Sequence, residues 1–129
     1  MSRALRIEVA GLTDVGRKRN HNEDNFAIFR EHGLYVVADG MGGHASGEVA
    51  SQMAIETLAE FFEATSADPE RTWPYKMDHS RGYEENRLIT GIKLCNLRIY
   101  ESAQRNPKQR GMGTTVVSLF AREEDLLIA

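Results

Sequence analysis

A single cysteine, Cys95, in a chain of 129 residues excludes an intrachain disulfide and fits a reducing compartment. Its place within a helix-period apolar pattern reads as a small core residue rather than a nucleophile. Long apolar runs are missing as well. No window approaches the roughly 20 residues that a spanning helix needs, and Met1-Ser2-Arg3-Ala4 leads into no apolar core of a secretory leader. Cytoplasm is the expected location, with no membrane partner. There is no basic surplus either: 16 Lys and Arg against 19 Asp and Glu leave a formal charge of -3, which gives no ground for a nucleic-acid partner. The local cluster Arg17-Lys18-Arg19 stands against that background, with Arg17 and Lys18 read as solvated turn residues. Zinc-ligand spacing, a Cys/His dyad and a nucleophile elbow are all absent. Nor is there a phosphate loop ending in Gly-Lys-Ser/Thr, and the glycines Gly40, Gly42, Gly43 and Gly47 miss the dinucleotide pattern because Ala45 stands where it needs glycine.

What remains is the composition of one ordinary globular domain, 41% hydrophobic and 27% charged, without repeats or low-complexity tracts. Alternation of Leu5, Ile7 and Val9 with Arg6, Glu8 and Ala10 predicts a strand over residues 5–12 with one wet face. A charged, glycine-containing loop then runs to about Asp24. Residues 25–29 and 34–38 read as two strands joined by Arg30-Glu31-His32-Gly33, a hairpin that brings Glu23 and Asp24 towards Asp39. Apolar spacing predicts a helix over residues 48–63, with Ser46 or Gly47 as its N-cap, and a second over about 84–104 with Leu88, Ile92, Cys95 and Ile99 on one stripe. Between them, residues 65–83 carry Pro69 and Pro74, lack a period and read as a long loop around Trp73 and Tyr75. Asn106-Pro107 ends the second helix. Residues 113–120 read as a strand, and Leu126-Leu127-Ile128-Ala129 as a buried strand just beginning, so the domain is expected to continue past it.

Chemistry concentrates where Tyr35-Val36-Val37-Ala38 delivers Asp39 to a strand end, followed by Gly40-Met41-Gly42-Gly43-His44. Hard divalent cations take oxygen ligands, often one or two carboxylates plus a backbone carbonyl, and Asp39 with Gly40 offers such a pair. Standing alone, Asp39 would read as a turn or cap residue. On the local sequence alone His44 is a loop histidine, a ligand or a general acid, with the loop reading ahead. Gly111-Met112-Gly113-Thr114-Thr115 opens a buried strand with small residues, which packing against another backbone also explains.

Taken in order, three blocks carry a resemblance: Thr13-Asp14-Val15-Gly16-Arg17-Lys18-Arg19-Asn20-His21-Asn22-Glu23-Asp24-Asn25, then the run from Val36 through Asp39-Gly40 and His44 to Ser51, then Gly111 to Thr115. Together they resemble the N-terminal half of a bacterial PPM (PP2C-type) metal-dependent serine/threonine protein phosphatase. The resemblance implies an α/β fold, a four-layer α-β-β-α sandwich of antiparallel sheets. Residues 1–129 would be the N-terminal part of one such domain, giving two outer helices of one face and part of each sheet. It also implies two Mn²⁺ or Mg²⁺ ions and hydrolysis of phosphoserine and phosphothreonine in proteins by a water that the two ions activate. Asp39 would bridge the ions, the Gly40 carbonyl would complete one shell, and Glu23 and Asp24 would support the centre. Arg19 would bind the substrate phosphate through its fork of donors, and His44 would protonate the leaving oxygen. Phosphorylated proteins, a cognate Ser/Thr kinase among them, are the implied partners. The family's Gly-Asp-Ser block and further aspartates do not occur here, so the isolated chain is expected to bind metal weakly and to show little or no activity. Two other readings stand beside this one: a non-catalytic PPM-like module that binds phosphorylated partners, and a small α/β scaffold whose acidic and glycine residues only make turns.

Overall fold

A computed structural model describes residues 6–43 and 46–129. β1 (Asp24–Phe29) and β2 (Leu34–Met41) form an antiparallel hairpin through a short 3₁₀ turn at Arg30–His32. Gly33 closes that turn with a φ of 66°, a left-handed conformation that glycine adopts without steric cost. Two long helices follow, α1 (Ser46–Ala67) and α2 (Tyr83–Arg105), then β3 (Gly113–Thr114), β4 (Val117–Ala121) and β5 (Leu126–Ile128). The strands join one antiparallel sheet in the order β1-β2-β4-β5, and β3 pairs with the far end of β2. Among the described residues, then, one sheet is built where part of two is expected. No described helix is long and apolar enough to cross a membrane.

Both helices lie on one face of the sheet. Along β2 the residues Leu34, Val36, Ala38 and Gly40 are buried, while Tyr35, Val37, Asp39 and Met41 alternate to the other side. From β4, Ser118 and Phe120 join the buried side. α1 contributes Ala50, Ala54, Leu58, Phe61 and Phe62, and α2 contributes Leu88, Cys95, Ile99 and Ala103. The helices approach closely at Gly91, where an added Cβ would stand 2.9 Å from the Leu58 side chain. The Cys95 thiol is sealed between them, donates to the Ala54 carbonyl at 3.4 Å, and is pushed by burial up to about 12. That environment supports the core reading of this cysteine.

A polar clamp adds to this packing. Arg87, on α2, donates to Thr65 Oγ1 and to the Phe62 carbonyl, each at 2.7 Å, and lies 4.3 Å above the Phe62 ring. Asn86 fastens the loop before α2 by donating to the carbonyls of Asp78 and Gly82 and accepting from the Asp78 amide. Trp73, in that loop, packs edge-on against Phe61 at 5.7 Å.

Four expectations change, the first being that β5, expected as a buried strand, leaves Leu126 and Ile128 exposed. Residues 6–12 form no strand, because among the described residues their backbone has no ladder partner; the Arg30 guanidinium donates to the Val9 carbonyl at 3.4 Å, and Gly11 lies against the Phe26 ring. Leu5 lies outside the described residues. α1 begins at Ser46, whose hydroxyl donates to the Lys108 carbonyl at 2.7 Å instead of capping the helix, and Gly47 is already helical. The strand expected over 113–120 is two strands, since Thr115 turns its amide onto the Asp39 carbonyl.

Candidate metal centre

The hairpin register decides which acidic groups meet. Asp24 stands directly opposite Asp39, so both project from the same face of the sheet, away from the helices. Partial withdrawal from water, a hydrogen bond with the Asp39 carboxyl and the charges of Asp39 and Glu23 raise the Asp24 pKa above its ordinary 3.8, with Arg19 opposing. Two carboxylates forced together in this way are a site that favours a cation or a shared proton.

Glu23 precedes β1 and is tied down through its main chain. Its carbonyl accepts from the Gly40 amide at 3.1 Å and from Ser51 Oγ at 2.7 Å, and the Asn25 amide group donates to the same Ser51 oxygen at 2.7 Å. The side chain runs beneath the first turn of α1. A Cβ built on Gly47 would stand 1.6 Å from Glu23 Oε2, and one built on Gly40 would stand 1.9 Å from the Gly47 carbonyl oxygen. The end of β2, the start of α1 and Glu23 therefore meet with no room for a side chain at either glycine. Glu23 Oε2 is buried and has no hydrogen-bond partner among the described residues. An unpaired buried polar atom costs about 1–3 kcal/mol, so it marks a place where another charge is wanted.

Arg19, Asn20, Glu23, Asp39, Gly40 and Gly42 line a cleft of about 510 Å³ at this corner. Thr115 fixes the Asp39 backbone: its amide donates to the Asp39 carbonyl at 2.8 Å, and its hydroxyl accepts from the Asp39 amide at 3.2 Å. The fold thus brings Arg19, Glu23, Asp39 and Gly40 to one cleft and sets Asp24 against Asp39. His44 lies outside the described residues. His21 also lines the cleft, but the Asp39 carboxylate, the Gly40 carbonyl and the Glu23 carboxylate beside it are oxygen donors, which fit a hard divalent cation of the Mn²⁺ or Mg²⁺ kind. Among the described residues no three His, Cys, Asp or Glu side chains converge as a closed ligand group. Ser51 and Thr115, which secure the backbones of Glu23 and Asp39, end two of the blocks that carry the resemblance, but their roles escape sequence reading because a Ser in a helix and a Thr in a strand carry no chemical signature of their own.

Known proteins share the sequence and fold of this chain. The family model described as Protein phosphatase 2C matches residues 15–129. The serine/threonine phosphatase stp of Listeria innocua is 35% identical over 124 residues, covering 91% of this chain and 44% of that protein. The chain thus spans less than half the length of this curated relative. In the solved structure of the serine/threonine phosphatase Stp1 from Staphylococcus aureus, 34% identical, the match covers 99% of this chain and 47% of that one at a TM-score of 0.74. The catalytic domain of the serine/threonine protein phosphatase PstP, solved in complex with two manganese ions, is 30% identical and matches at 0.66, over 89% of this chain and 43% of that one.

Proposed function

This chain belongs to the protein phosphatase 2C family, and from that membership we propose that it carries the phosphate-binding and part of the metal-binding apparatus of a protein serine/threonine phosphatase. The observation that supports the reading most directly is the single cleft lined by Arg19, Glu23, Asp39 and Gly40. In this proposal the Asp39 carboxylate and the Gly40 carbonyl hold Mn²⁺ or Mg²⁺, and Glu23 and Asp24 support it. Two such ions, when bound, acidify the attacking water and offset charge on the phosphoryl oxygens.

The chain's own residues do the rest. Arg19 presents a planar fork of donors that suits two phosphoryl oxygens at once and holds the phosphorus in line for attack. The cross-strand pairing of Asp24 with Asp39 keeps two negative charges at one end of the sheet, and the hydrogen bonds from Thr115 hold the Asp39 backbone in place. His44 is assigned the proton delivered to the departing serine or threonine oxygen on the family resemblance alone. Phosphorylated proteins, including the kinase that opposes the enzyme, are the proposed substrates. Hydrolysis belongs to the whole phosphatase domain, of which residues 1–129 form the N-terminal part, and these residues by themselves bind the ion weakly.

The test is calorimetric titration of the metal-free chain with Mn²⁺, together with phosphopeptide hydrolysis by the whole domain. Specific uptake lost in Asp39→Asn, with hydrolysis lowered roughly 100-fold or more in Arg19→Ala, supports the reading. Equal uptake by the wild type and Asp39→Asn refutes it. The absence of a three-ligand group among the described residues favours one alternative, a module that binds phosphoproteins without hydrolysing them. Phosphopeptide binding that needs Arg19 but no metal would select that alternative.

A further inference from the structure

Gly47 and Ser51 lie four residues apart on α1 and therefore on one face of its first turns. Both face Glu23, and they restrain different parts of it. Ser51, fully buried, donates to the Glu23 carbonyl at 2.7 Å while accepting from Asn25, so it fixes where the main chain enters β1. Gly47 offers only a Cα to the carboxylate: a methyl group there would stand 1.6 Å from Glu23 Oε2, 2.7 Å from its carboxyl carbon and 2.7 Å from the Met41 amide nitrogen. The first gives the ligand its origin and the second gives it its direction.

We infer that Gly47 and Ser51 are positioning residues for the metal, acting through Glu23 by holding its carboxylate under α1 beside the cleft that Asp39 and Gly40 line. The inference rests on the metal-centre reading above. The burial of Oε2 without a partner among the described residues supports it, since a carboxylate kept there only for packing would be better placed in water or beside a donor. Groups that orient a ligand matter to the metal nearly as much as the ligand does, and their loss costs roughly 10–100-fold in affinity.

The test is a pair of double-mutant cycles read by Mn²⁺ titration, with metal-free melting temperatures as the check on folding. Gly47→Ala and Ser51→Ala should each weaken Mn²⁺ binding by about tenfold or more, and that loss should shrink to less than about twofold when made in a Glu23→Ala background, where no carboxylate remains to be held. Should Gly47→Ala fail to fold, because its methyl group also meets the Met41 amide, the Ser51 cycle decides alone. Equal losses in both backgrounds, or no loss in the wild-type background, overturn the inference while leaving the Asp39 centre intact. A wild-type protein that takes up no Mn²⁺ overturns both.

Discussion

Replacing Arg87 by alanine should unfold the helix pair far more readily than its single charge suggests. The guanidinium makes two hydrogen bonds of 2.7 Å, to Thr65 Oγ1 and to the Phe62 carbonyl, and a third of 2.6 Å to Ser66 Oγ. With a charged donor each is worth about 1.5–3 kcal/mol, and the stacking on Phe62 at 4.3 Å adds on the order of 1–2 kcal/mol. Against this stands the desolvation of a side chain only 9% exposed, several kcal/mol. The acceptors are not wholly abandoned, because the Thr65 hydroxyl still donates to the Phe61 carbonyl at 2.8 Å. A net loss of about 3–4 kcal/mol follows for Arg87→Ala. Arg87→Met keeps the packing of the stem on Phe62 and should lose about half as much. Urea unfolding followed by far-ultraviolet circular dichroism, with the slope unchanged, reads both values. A loss below about 1 kcal/mol for Arg87→Ala, the range of an exposed ion pair, refutes this account of the clamp.

The raised pKa of Asp24 fixes the sign of a pH effect. Its contribution to stability is present below the ordinary 3.8 and is lost as pH rises through the higher folded value, so ionised Asp24 beside Asp39 destabilises the metal-free protein at neutral pH. Asp24→Asn should therefore raise the metal-free melting temperature at pH 7 and leave it nearly unchanged at pH 3; an equal shift at both values contradicts the pairing. Cys95, with its thiol pushed up to about 12 and sealed between the helices, should resist a thiol reagent in native protein and react at once in denaturant. Rapid labelling of the native state would mean that the α1–α2 contact opens freely.

The hairpin and both helices are legible because their signals are local: a glycine turn between alternating runs, and apolar residues at helical spacing. The buried face of α1 is less so. Its stripe passes through Gly47, Ala50, Ser51 and Ala54 before reaching Leu58 and Phe62, and small residues weigh little in a hydrophobic pattern. Their size is what lets the helix descend onto the start of β1. The strand expected over residues 5–12 fails for the opposite reason: its alternation is clear, but a strand also needs a neighbour, and no local pattern reports one. At the site, Asp39, Gly40 and Arg19 are readable from motif order. The roles of Ser51 and Thr115 depend on contacts 28 and 76 residues away in sequence, which only the folded chain displays.

The alternation of β2 explains why site and core can share one strand. Ala38 and Gly40 face the helices, and Asp39 between them faces the other way, so the residues that secure the strand and the residue that carries the charge are neighbours in sequence but not in environment. Pairing with β1 then carries this division across the sheet: Asp24 falls opposite Asp39, while Asn25 falls opposite Ala38 and reaches Ser51. A slip of β2 by one residue in this register would turn Asp39 against α1 and expose Val36 and Ala38. Burying an unpaired carboxylate costs several kcal/mol, and together with the lost core contacts of Val36 and Ala38 that is on the scale of a domain's whole stability. The alignment of the two acidic residues is thus enforced by the same burial that makes the core, and it persists whether or not a cation is bound.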